Sequence, residues 1–412
     1  MKLYIVMAYG QAVRVTRVRK KGRYGAAMLK IGKTYLKRVG DLTHLCADLT
    51  IGDRRTTLWF GVDSAQEEYL APGRADAFVM ALLPAAMRGG HEMVCEDPMS
   101  ERLHYQLVNG LIPALSFAGD LYHIIKITAP LTTEQVPNLG AVGTGFSGGV
   151  DSLYTIMKHG ADSEFPLTHI AIFNRRAVYD KPSFMEACRQ GDRFARELGF
   201  KQVYLDTNLS QTLIRNSDVV FSFWNLACAL ALQRLFSVYL ISSGQSVSEF
   251  KLDLELACDF YDPLTVNCAS TESLAFYLSG GETSRPKKLE ALTAWEPSWR
   301  WLHPCVSVLG NPNCGQCKKC SAALTVLYAL GSLDRYRPVF DVDDYLRNFS
   351  QRIGRLLSFE NSQSSKDALR LLRARNIPIP NSSVLYAKRL QRMRQLVSKL
   401  ESRYEGGTGN EQ

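Results

Sequence analysis

The sequence lacks a continuous apolar run long enough to cross a bilayer. The best candidate, residues 223–243, is interrupted by Gln233 and Arg234, whereas a membrane-spanning helix needs about 20 mostly apolar residues. The apolar stretch at residues 3–9 is short and a dense basic segment follows it, so we expect no signal peptide. These absences argue against a membrane partner and predict a cytoplasmic protein.

The sequence also lacks the cysteine pattern of a disulfide framework. Ten cysteines are spread over 412 residues, which is unlike the dense spacing of small secreted domains. Six of them are scattered and are predicted to be small apolar core residues: Cys46, Cys95, Cys188, Cys228, Cys258 and Cys268. The other four lie close together near residue 310 and form a separate motif.

Acidic residues are missing from residues 1–40, which contain eleven Lys or Arg, and the whole chain has a net charge of +9. A basic surface attracts nucleic acid, a phosphorylated ligand or an acidic protein partner. No aromatic-interleaved RNA-binding motif accompanies the charge, so nucleic acid is not the favoured partner. A solvated face of a sheet would explain the same pattern.

The length predicts two or three domains. Residues 1–135 are predicted to form a separate α+β domain. Its predicted strands cover residues 3–8, 12–18, 56–61 and 121–128, and its predicted helices cover residues 75–87 and 98–107. Pro84 is expected to kink or shorten the first helix, and Ser100 is expected to cap the second.

From residue 139 strands and helices alternate, which is typical of a parallel α/β sheet. The predicted strands cover residues 141–146, 168–173, 202–205 and 238–242. One predicted helix begins at residue 152, and two others cover residues 183–198 and 221–236. This α/β domain is expected to end near residue 330. Residues 331–405 are predicted to be a basic helical segment, and residues 406–412 a disordered tail.

The apolar strand at residues 141–146 leads into Ser-Gly-Gly-Val-Asp-Ser, residues 147–152, here called the SGGVDS loop. Gly148 and Gly149 allow backbone N–H groups to approach a ligand closely. The first N–H groups of the helix expected at Ser152 are unpaired and lie at the positive end of the helix dipole. The pattern predicts phosphate binding. It is not a Walker A loop, because no lysine follows the glycines; a glycine turn without a ligand is the alternative.

Cys305, Cys314, Cys317 and Cys320, here called the cysteine cluster, are separated by eight, two and two residues. Four thiolates can complete the tetrahedral shell of a structural zinc ion. The same ligands could hold an iron–sulfur cluster. His303 is a spare ligand candidate, although a histidine beside a proline is more often a loop residue.

The SGGVDS loop is similar to the signature of the PP-loop ATP pyrophosphatases, which split ATP between its α and β phosphates and adenylate an acceptor. The loop and the cysteine cluster, in this order, resemble the QueC family of 7-cyano-7-deazaguanine synthases over residues 139 to about 330. The lysine-bearing segment Ser284–Ala291 and the aromatic residues from Trp295 to Cys305 also resemble that family. The resemblance implies activation of the carboxylate of 7-carboxy-7-deazaguanine with ATP, Mg²⁺ and Zn²⁺.

The resemblance also implies roles for individual residues. Ser147, Gly148, Gly149 and Ser152 would hold the pyrophosphate. Asp151 would organise Mg²⁺, and either Lys287 or Lys288 would supply a cation for the phosphates. The nucleotide-binding set implied by position further includes Phe146, Val150, Phe173 and Gly244, since ligands of parallel sheets bind at the carboxyl ends of the strands.

The chain departs from the family in three places. It is longer at both ends, the stretch Leu256–Pro263 replaces Gly-Tyr-Pro-Asp-Cys-Arg, and Phe173–Arg176 replaces Tyr-Gly-Gln-Arg. The enlarged form resembles the QueC-like proteins of anti-phage defence operons, QatC and the related component of type IV CBASS. That likeness implies ligation of the deazaguanine acid to the N-terminal amine of a partner protein, which would dock on the basic N-terminal domain.

Three other functions remain open. A free-standing synthase would make the nitrile from ammonia, a tRNA-modifying PP-loop enzyme would use the basic residues 1–40, and a nucleotide-sensing protein would release no pyrophosphate. The sequence also leaves open whether the chain forms a homo-oligomer.

Overall fold

A ten-stranded sheet lies at the centre of the computed structural model, which describes residues 6–8, 11–13, 27–174, 181–212, 220–307, 309–359 and 362–406. The described strands are β1 (Val6–Ala8), β2 (Gln11–Val13), β3 (Leu29–Val39), β4 (Leu42–Ile51), β5 (Arg54–Asp63), β6 (Met93–Cys95), β7 (Met99–Ser100), β8 (Ile127–Thr128), β9 (Leu131–Thr132), β10 (Ala141–Gly145), β11 (His169–Asn174), β12 (Lys201–Thr207), β13 (Phe236–Ser242) and β14 (Ala275–Ser279).

Fifteen α-helices are described in the same residues. They are α1 (Asp76–Gly89), α2 (Glu101–Gln106), α3 (Ile112–Phe117), α4 (Val150–Lys158), α5 (Lys181–Leu198), α6 (Leu209–Thr212), α7 (Phe221–Ala231), α8 (Asp262–Asn267), α9 (Arg285–Leu292), α10 (Pro297–Trp301), α11 (Lys318–Ala329), α12 (Val342–Arg347), α13 (Phe349–Ser358), α14 (Gln363–Ala374) and α15 (Asn381–Gly406). None of them is both long and apolar enough to pass through a membrane.

The strand order of the large sheet is β14-β13-β10-β11-β12-β5-β4-β3-β6-β8. The five strands from β14 to β12 are mutually parallel. Strands β5, β4 and β3 continue the sheet in antiparallel order, and β6 and β8 add parallel strands at the far edge. The expectation of an α/β fold with a parallel sheet is therefore confirmed by these five strands. The complete sheet is large and mostly parallel, and the topology is consistent with a Rossmann-like fold.

The two parts of the sheet arise from different sequence patterns. All six residues of β11 are buried, as expected for a parallel strand with helices on both faces. Strands β3, β4 and β5 are joined by two-residue turns in which Gly40 and Gly52 have φ values of 62° and 57°. Such positive φ angles match the right-handed twist of a hairpin and are tolerated well by glycine.

Helices cover the sheet on both faces and create two hydrophobic cores. One core contains α1 and α7 packed against β3, β4, β5 and β13. The other contains α4, α5, α9 and α11, together with the C-terminal helices α12, α13 and α14. The C-terminal segment is therefore packed on the same face of the sheet as the SGGVDS loop, and this arrangement brings it to the candidate site.

The N-terminal strands join the same sheet as the strands that follow residue 139. The connection is the antiparallel pairing of Asp206 with Gly61 and of Thr207 with Phe60. The division of the chain into domains at residue 135 stays a prediction, but the sheet itself crosses that boundary. Residues 3–5 of the strand predicted over residues 3–8, residues 14–18 of the strand predicted over residues 12–18, and residues 407–412 of the tail predicted over residues 406–412 lie outside the described residues. Gly406 is the last residue of α15.

Most of the predicted elements after residue 139 are found with small changes in their bounds. The helix expected at Ser152 begins two residues earlier, at Val150, and the helix expected to reach Phe236 ends at Ala231 because Phe236 starts β13. Before residue 139, α1 continues through Pro84. The strand expected over residues 121–128 is reduced to β8, because the preceding chain bonds to α1 through His123 N–H and the Met87 carbonyl at 2.9 Å.

Candidate active site and metal centre

A cavity of about 1430 Å³ opens at the carboxyl ends of β10, β11 and β13. In parallel sheets this edge is where ligands bind, because the loops that follow the strands converge there. The predicted nucleotide-binding residues that line this cavity are Phe146, Ser147, Gly149, Val150, Asp151, Ser152, Phe173 and Gly244, and Cys305 and Cys317 of the cysteine cluster line it as well. Gly148, Lys287 and Lys288 are not among its lining residues. The structure therefore brings together residues from three separate loops that the sequence had assigned to one crevice.

The SGGVDS loop is held in shape by its two serines. The Ser147 backbone N–H donates to Ser152 Oγ at 3.4 Å, and the two hydroxyl oxygens lie 3.2 Å apart. Ser152 Oγ donates in turn to the Gly149 carbonyl at 3.1 Å. Gly149 is the N-cap residue of α4, and none of the side chains that the structure describes forms a capping hydrogen bond there. The residues of the first turn, Val150, Asp151 and Ser152, line the cavity, which is the placement that a phosphate site at a helix start needs.

Gly148 is required by both its conformation and its surroundings. Its φ is 68°, and a Cβ atom at this position would lie 2.9 Å from His303 Cβ and 3.1 Å from the Trp301 carbonyl oxygen. The Gly148 carbonyl also accepts a 2.7 Å hydrogen bond from the His303 backbone N–H. The loop is therefore packed directly against the chain that leads into the cysteine cluster.

Asp151 is the centre of a charged network at the start of α4. Arg285 Nη2 lies 2.7 Å from Asp151 Oδ2, and Lys288 Nζ lies 3.1 Å from Asp151 Oδ1. Burial alone would raise the pKa of the Asp151 carboxyl, but the charges of Arg285 and Lys288 outweigh burial and lower this pKa. Asp151 is thus held as a carboxylate next to the backbone N–H groups of the loop.

Arg285 and Lys288 also fix the loop that follows β13. Arg285 Nη2 donates to the Gly244 carbonyl at 2.8 Å, and Lys288 Nζ donates to the Ser243 carbonyl at 2.7 Å. Both cations lie on α9, three residues apart, so they project from the same face of the helix. Helix α9 therefore joins the ends of β10 and β13 through charge-assisted hydrogen bonds.

The structure shows which of the two candidate lysines, Lys287 and Lys288, belongs to the network around Asp151, a choice that the sequence left open. Lys288 is only 1% exposed and contacts Asp151, whereas Lys287 is exposed on the same helix. Arg285, which the sequence did not single out, lines the cavity. A signal was present in the sequence, because Arg285 precedes Lys288 by three residues and follows the helix-capping position Ser284.

Further cavity residues come from α11, α13 and α15 and were not predicted. Lys318, Arg355 and Arg394 line the cavity, and burial lowers the pKa of Lys318. Arg394 stacks on the Phe359 ring with 3.8 Å between its Cζ atom and the ring centroid. These residues give one side of the cavity a positive charge that is complementary to phosphates.

The ligand atoms of the cysteine cluster lie within 4.8 Å of one another. This arrangement could bind a metal ion such as zinc. Backbone N–H groups donate to the sulfur atoms: Cys317 N–H to Cys314 Sγ at 3.2 Å, and Cys320 N–H to Cys317 Sγ at 3.4 Å. Gly315, with a φ of 64°, forms the turn between Cys314 and Cys317.

His303, the spare ligand candidate, is engaged elsewhere. Its Nε2 atom lies 3.0 Å from the Asn311 carbonyl oxygen, and its backbone bonds to Gly148. Of the six scattered cysteines, five are buried as predicted and Cys268 is half-buried.

No model of a known protein family matches the chain, and no curated protein matches it either.

Proposed function

We propose that the protein is a PP-loop type ligase, which adenylates the carboxylate of 7-carboxy-7-deazaguanine with ATP and transfers the acyl group to an amine. One observation carries the proposal. Asp151 of the SGGVDS loop is held by Arg285 and Lys288 in a large cavity at the carboxyl ends of parallel strands.

The proposed reaction has two steps. In the first, a carboxylate oxygen of the acid attacks the α-phosphorus of ATP, the bond between the α-phosphorus and the bridging oxygen breaks, and pyrophosphate leaves. In the second, an amine nitrogen attacks the carbonyl carbon, AMP leaves, and the nitrogen loses a proton. The product is an amide, and no oxidant or reductant is needed.

The residues around the loop are suited to the negative charge that develops in the first step. The unpaired N–H groups at the start of α4 and the guanidinium of Arg285 are hydrogen-bond donors that are already in place before the reaction. Asp151 is ionised and is the residue that would hold Mg²⁺, which would offset phosphate charge. Lys288 is buried beneath this network and positions Asp151.

The size of the cavity supports a second reactant beside ATP. Its volume of about 1430 Å³ exceeds the range of about 300–1,000 Å³ that is usual for a site that binds one small molecule. Helix α15 lines the cavity through Leu390, Met393, Arg394 and Val397, of which Met393 is 51% exposed. An exposed, basic and apolar helix beside the site favours a polypeptide as the amine acceptor.

We assign this acceptor to the N-terminus of a partner protein in an anti-phage defence system, following the resemblance of the enlarged chain. The cysteine cluster is assigned a structural zinc ion, because four thiolates leave no open coordination position for a substrate. In this proposal zinc takes no part in either chemical step. Its effect is to fix the segment that packs on Gly148.

The test is pyrophosphate release from ATP by the purified full chain with the deazaguanine acid, in parallel reactions with ammonia, the neighbouring operon protein or tRNA. We expect release to need the acid, and mass spectrometry to find the acyl group on the N-terminus of the operon protein. An unmodified N-terminus together with nitrile formed from ammonia would favour the free-standing synthase. Modified tRNA would favour the tRNA enzyme. The absence of pyrophosphate in every reaction would contradict the proposal.

A further inference from the structure

Three cations that line the cavity have no role in the network around Asp151. Lys318 begins α11, Arg355 lies on α13 and Arg394 lies on α15. Among the residues that the structure describes, none of the three forms an ion pair with a carboxylate. Helices α11, α13 and α15 thus bring together positive charge that the folded chain does not balance locally.

Two carboxylates of the neighbouring helices α12 and α14 are already engaged. Asp344 pairs with Arg352, which lies one turn before the cavity residue of α13. Asp367 also lines the cavity, but its Oδ1 atom accepts from Gln363 Nε2 at 3.0 Å and lies 3.7 Å from Arg370 Nη1. The arginines that these carboxylates neutralise are therefore different from the cations that line the cavity.

Two of the three cations lie against the same aromatic ring. Arg394 Cζ lies 3.8 Å from the centroid of the Phe359 ring, and Lys318 Nζ lies 5.7 Å from it. Arg394 Nη1 donates to the Ser358 carbonyl at 3.0 Å, which fixes the guanidinium and leaves N–H donors on its other nitrogen atoms for a ligand. Burial, and to a smaller extent the charge of Arg355, lower the pKa of Arg394, so the two arginines are near enough to repel each other.

The kind of anion follows from the number and type of these cations. Like charges held together beside a cavity repel one another until an anion joins them, and they raise the local concentration of such an anion. Arginine N–H groups match phosphate oxygen atoms in pairs. A single carboxylate would neutralise only one of the three charges, whereas a pyrophosphate-type group carries several charges on two linked phosphates. The cluster therefore suits a multiply charged phosphate group.

We propose that Lys318, Arg355 and Arg394 form an anion site for a pyrophosphate-type group. The inference goes beyond the proposed function, which assigns phosphates to the SGGVDS loop, Arg285 and Mg²⁺, and it does not require that the proposed reaction takes place. Two sources have this chemistry: the terminal phosphates of ATP, and a phosphorylated group on a second ligand.

The test is calorimetric titration of inorganic pyrophosphate into the full chain. Arg355→Gln and Arg394→Gln should each weaken pyrophosphate binding by about tenfold or more, because each removes charge-assisted hydrogen bonds. Lys318 is left unchanged, since it adjoins Cys317 of the cysteine cluster. Arg392→Gln is the matched control, because Arg392 lies on α15 but does not line the cavity; it should alter the affinity by no more than about twofold.

A second titration, in the presence of saturating α,β-methylene-ATP, identifies the source of the phosphates. This analogue cannot be split between its α and β phosphates. If the site holds the terminal phosphates of ATP, the bound analogue should block pyrophosphate, and both cavity variants should also weaken binding of the analogue. If the site holds a second ligand, pyrophosphate should bind beside the analogue, and the variants should weaken the binding of pyrophosphate alone.

Folding of the variants is checked by urea denaturation without added anion. Arg355→Gln should be at least as stable as the wild type, because it removes a like charge close to Arg394. Pyrophosphate binding by both folded cavity variants that equals wild-type binding, with and without the analogue, would overturn the inference. So would a folded wild type that does not bind pyrophosphate. Acid-dependent pyrophosphate release from ATP, measured separately on the wild type, would then still report on the proposed function.

Discussion

Replacement of Asp151 by Asn should destabilise the protein, because the change leaves a buried cation without its counter-ion. Lys288 is 1% exposed, and its Nζ atom contacts Asp151 Oδ1 at 3.1 Å and the Ser243 carbonyl at 2.7 Å. After the replacement only neutral oxygens would face this charge. Loss of one partner from a buried ion pair costs about 3–5 kcal/mol. We expect about 3 kcal/mol, because the new amide oxygen can still accept one hydrogen bond.

The double variant Asp151→Asn/Lys288→Met separates the structural cost from the functional one. Methionine has a similar length and no charge, so the double variant has no unpaired buried cation at this position. The unfolding free energy, measured by urea denaturation of all four proteins, should recover by about 2 kcal/mol in the double variant relative to Asp151→Asn alone. Pyrophosphate release should stay lost in both, because neither has the carboxylate.

Two results would refute this reasoning. If Asp151→Asn has the same unfolding free energy as the wild type, the network is not a buried ion pair in solution. If the double variant regains pyrophosphate release along with its stability, Asp151 acts only through folding and has no place in the chemistry. Lys288→Met alone is the fourth protein of this double-mutant cycle. It should lower the unfolding free energy less than Asp151→Asn does, because Arg285 still pairs with the carboxylate.

Three other changes test separate parts of the site. Arg285→Ala should lower the rate of pyrophosphate release by about 10²–10³-fold. Lys287→Ala, an exposed change on the same helix, is the control and should alter the rate by no more than about twofold. Similar losses in both variants would contradict the assignment of Arg285, and not Lys287, to the cavity. The pKa of Asp151 is lowered in the folded protein. The ionised carboxylate therefore stabilises the protein above its unfolded pKa of about 4, and this stabilisation is lost as the pH falls through the folded pKa. The unfolding free energy, measured from pH 6 downwards, should decline more in the wild type than in Asp151→Asn. Metal analysis should find zinc bound to the cysteine cluster, and its removal by a chelator should lower the unfolding free energy; a metal content near zero in a stable protein would exclude the assigned role.

The features that could be predicted from the sequence are those encoded in short segments. The SGGVDS loop needs only a strand, two glycines and a helix start, so residues 141–158 contain the whole signal. The cysteine cluster spans sixteen residues, from Cys305 to Cys320, and its spacing alone indicates a metal site. Ser100 was correctly expected to cap α2, and its Oγ accepts from Leu103 N–H at 2.9 Å.

The features that could not be predicted depend on distant parts of the chain. Arg285 and Asp151 are separated by 134 residues, and no local pattern pairs them. Strand β3 was missed because most of its residues are exposed and several are basic, so it lacks the alternation that identifies a half-buried strand. The pairing of β5 with β12 likewise involves only two residue pairs. Such a short pairing produces no recognisable sequence pattern.

The SGGVDS loop packs against the chain that leads into the cysteine cluster, so a metal bound by the cluster would influence the proposed reaction without taking part in it. Gly148 is in contact with His303 and the Trp301 carbonyl, and its own carbonyl accepts the His303 N–H at 2.7 Å. His303 lies two residues before Cys305, the first cysteine of the cluster. A metal that fixes Cys305 therefore limits the movement of the chain on which Gly148 rests. Phosphate recognition by backbone N–H groups depends on their positions to within a fraction of an ångström. If the cluster binds zinc as proposed, its removal should therefore slow pyrophosphate release before it unfolds the sheet.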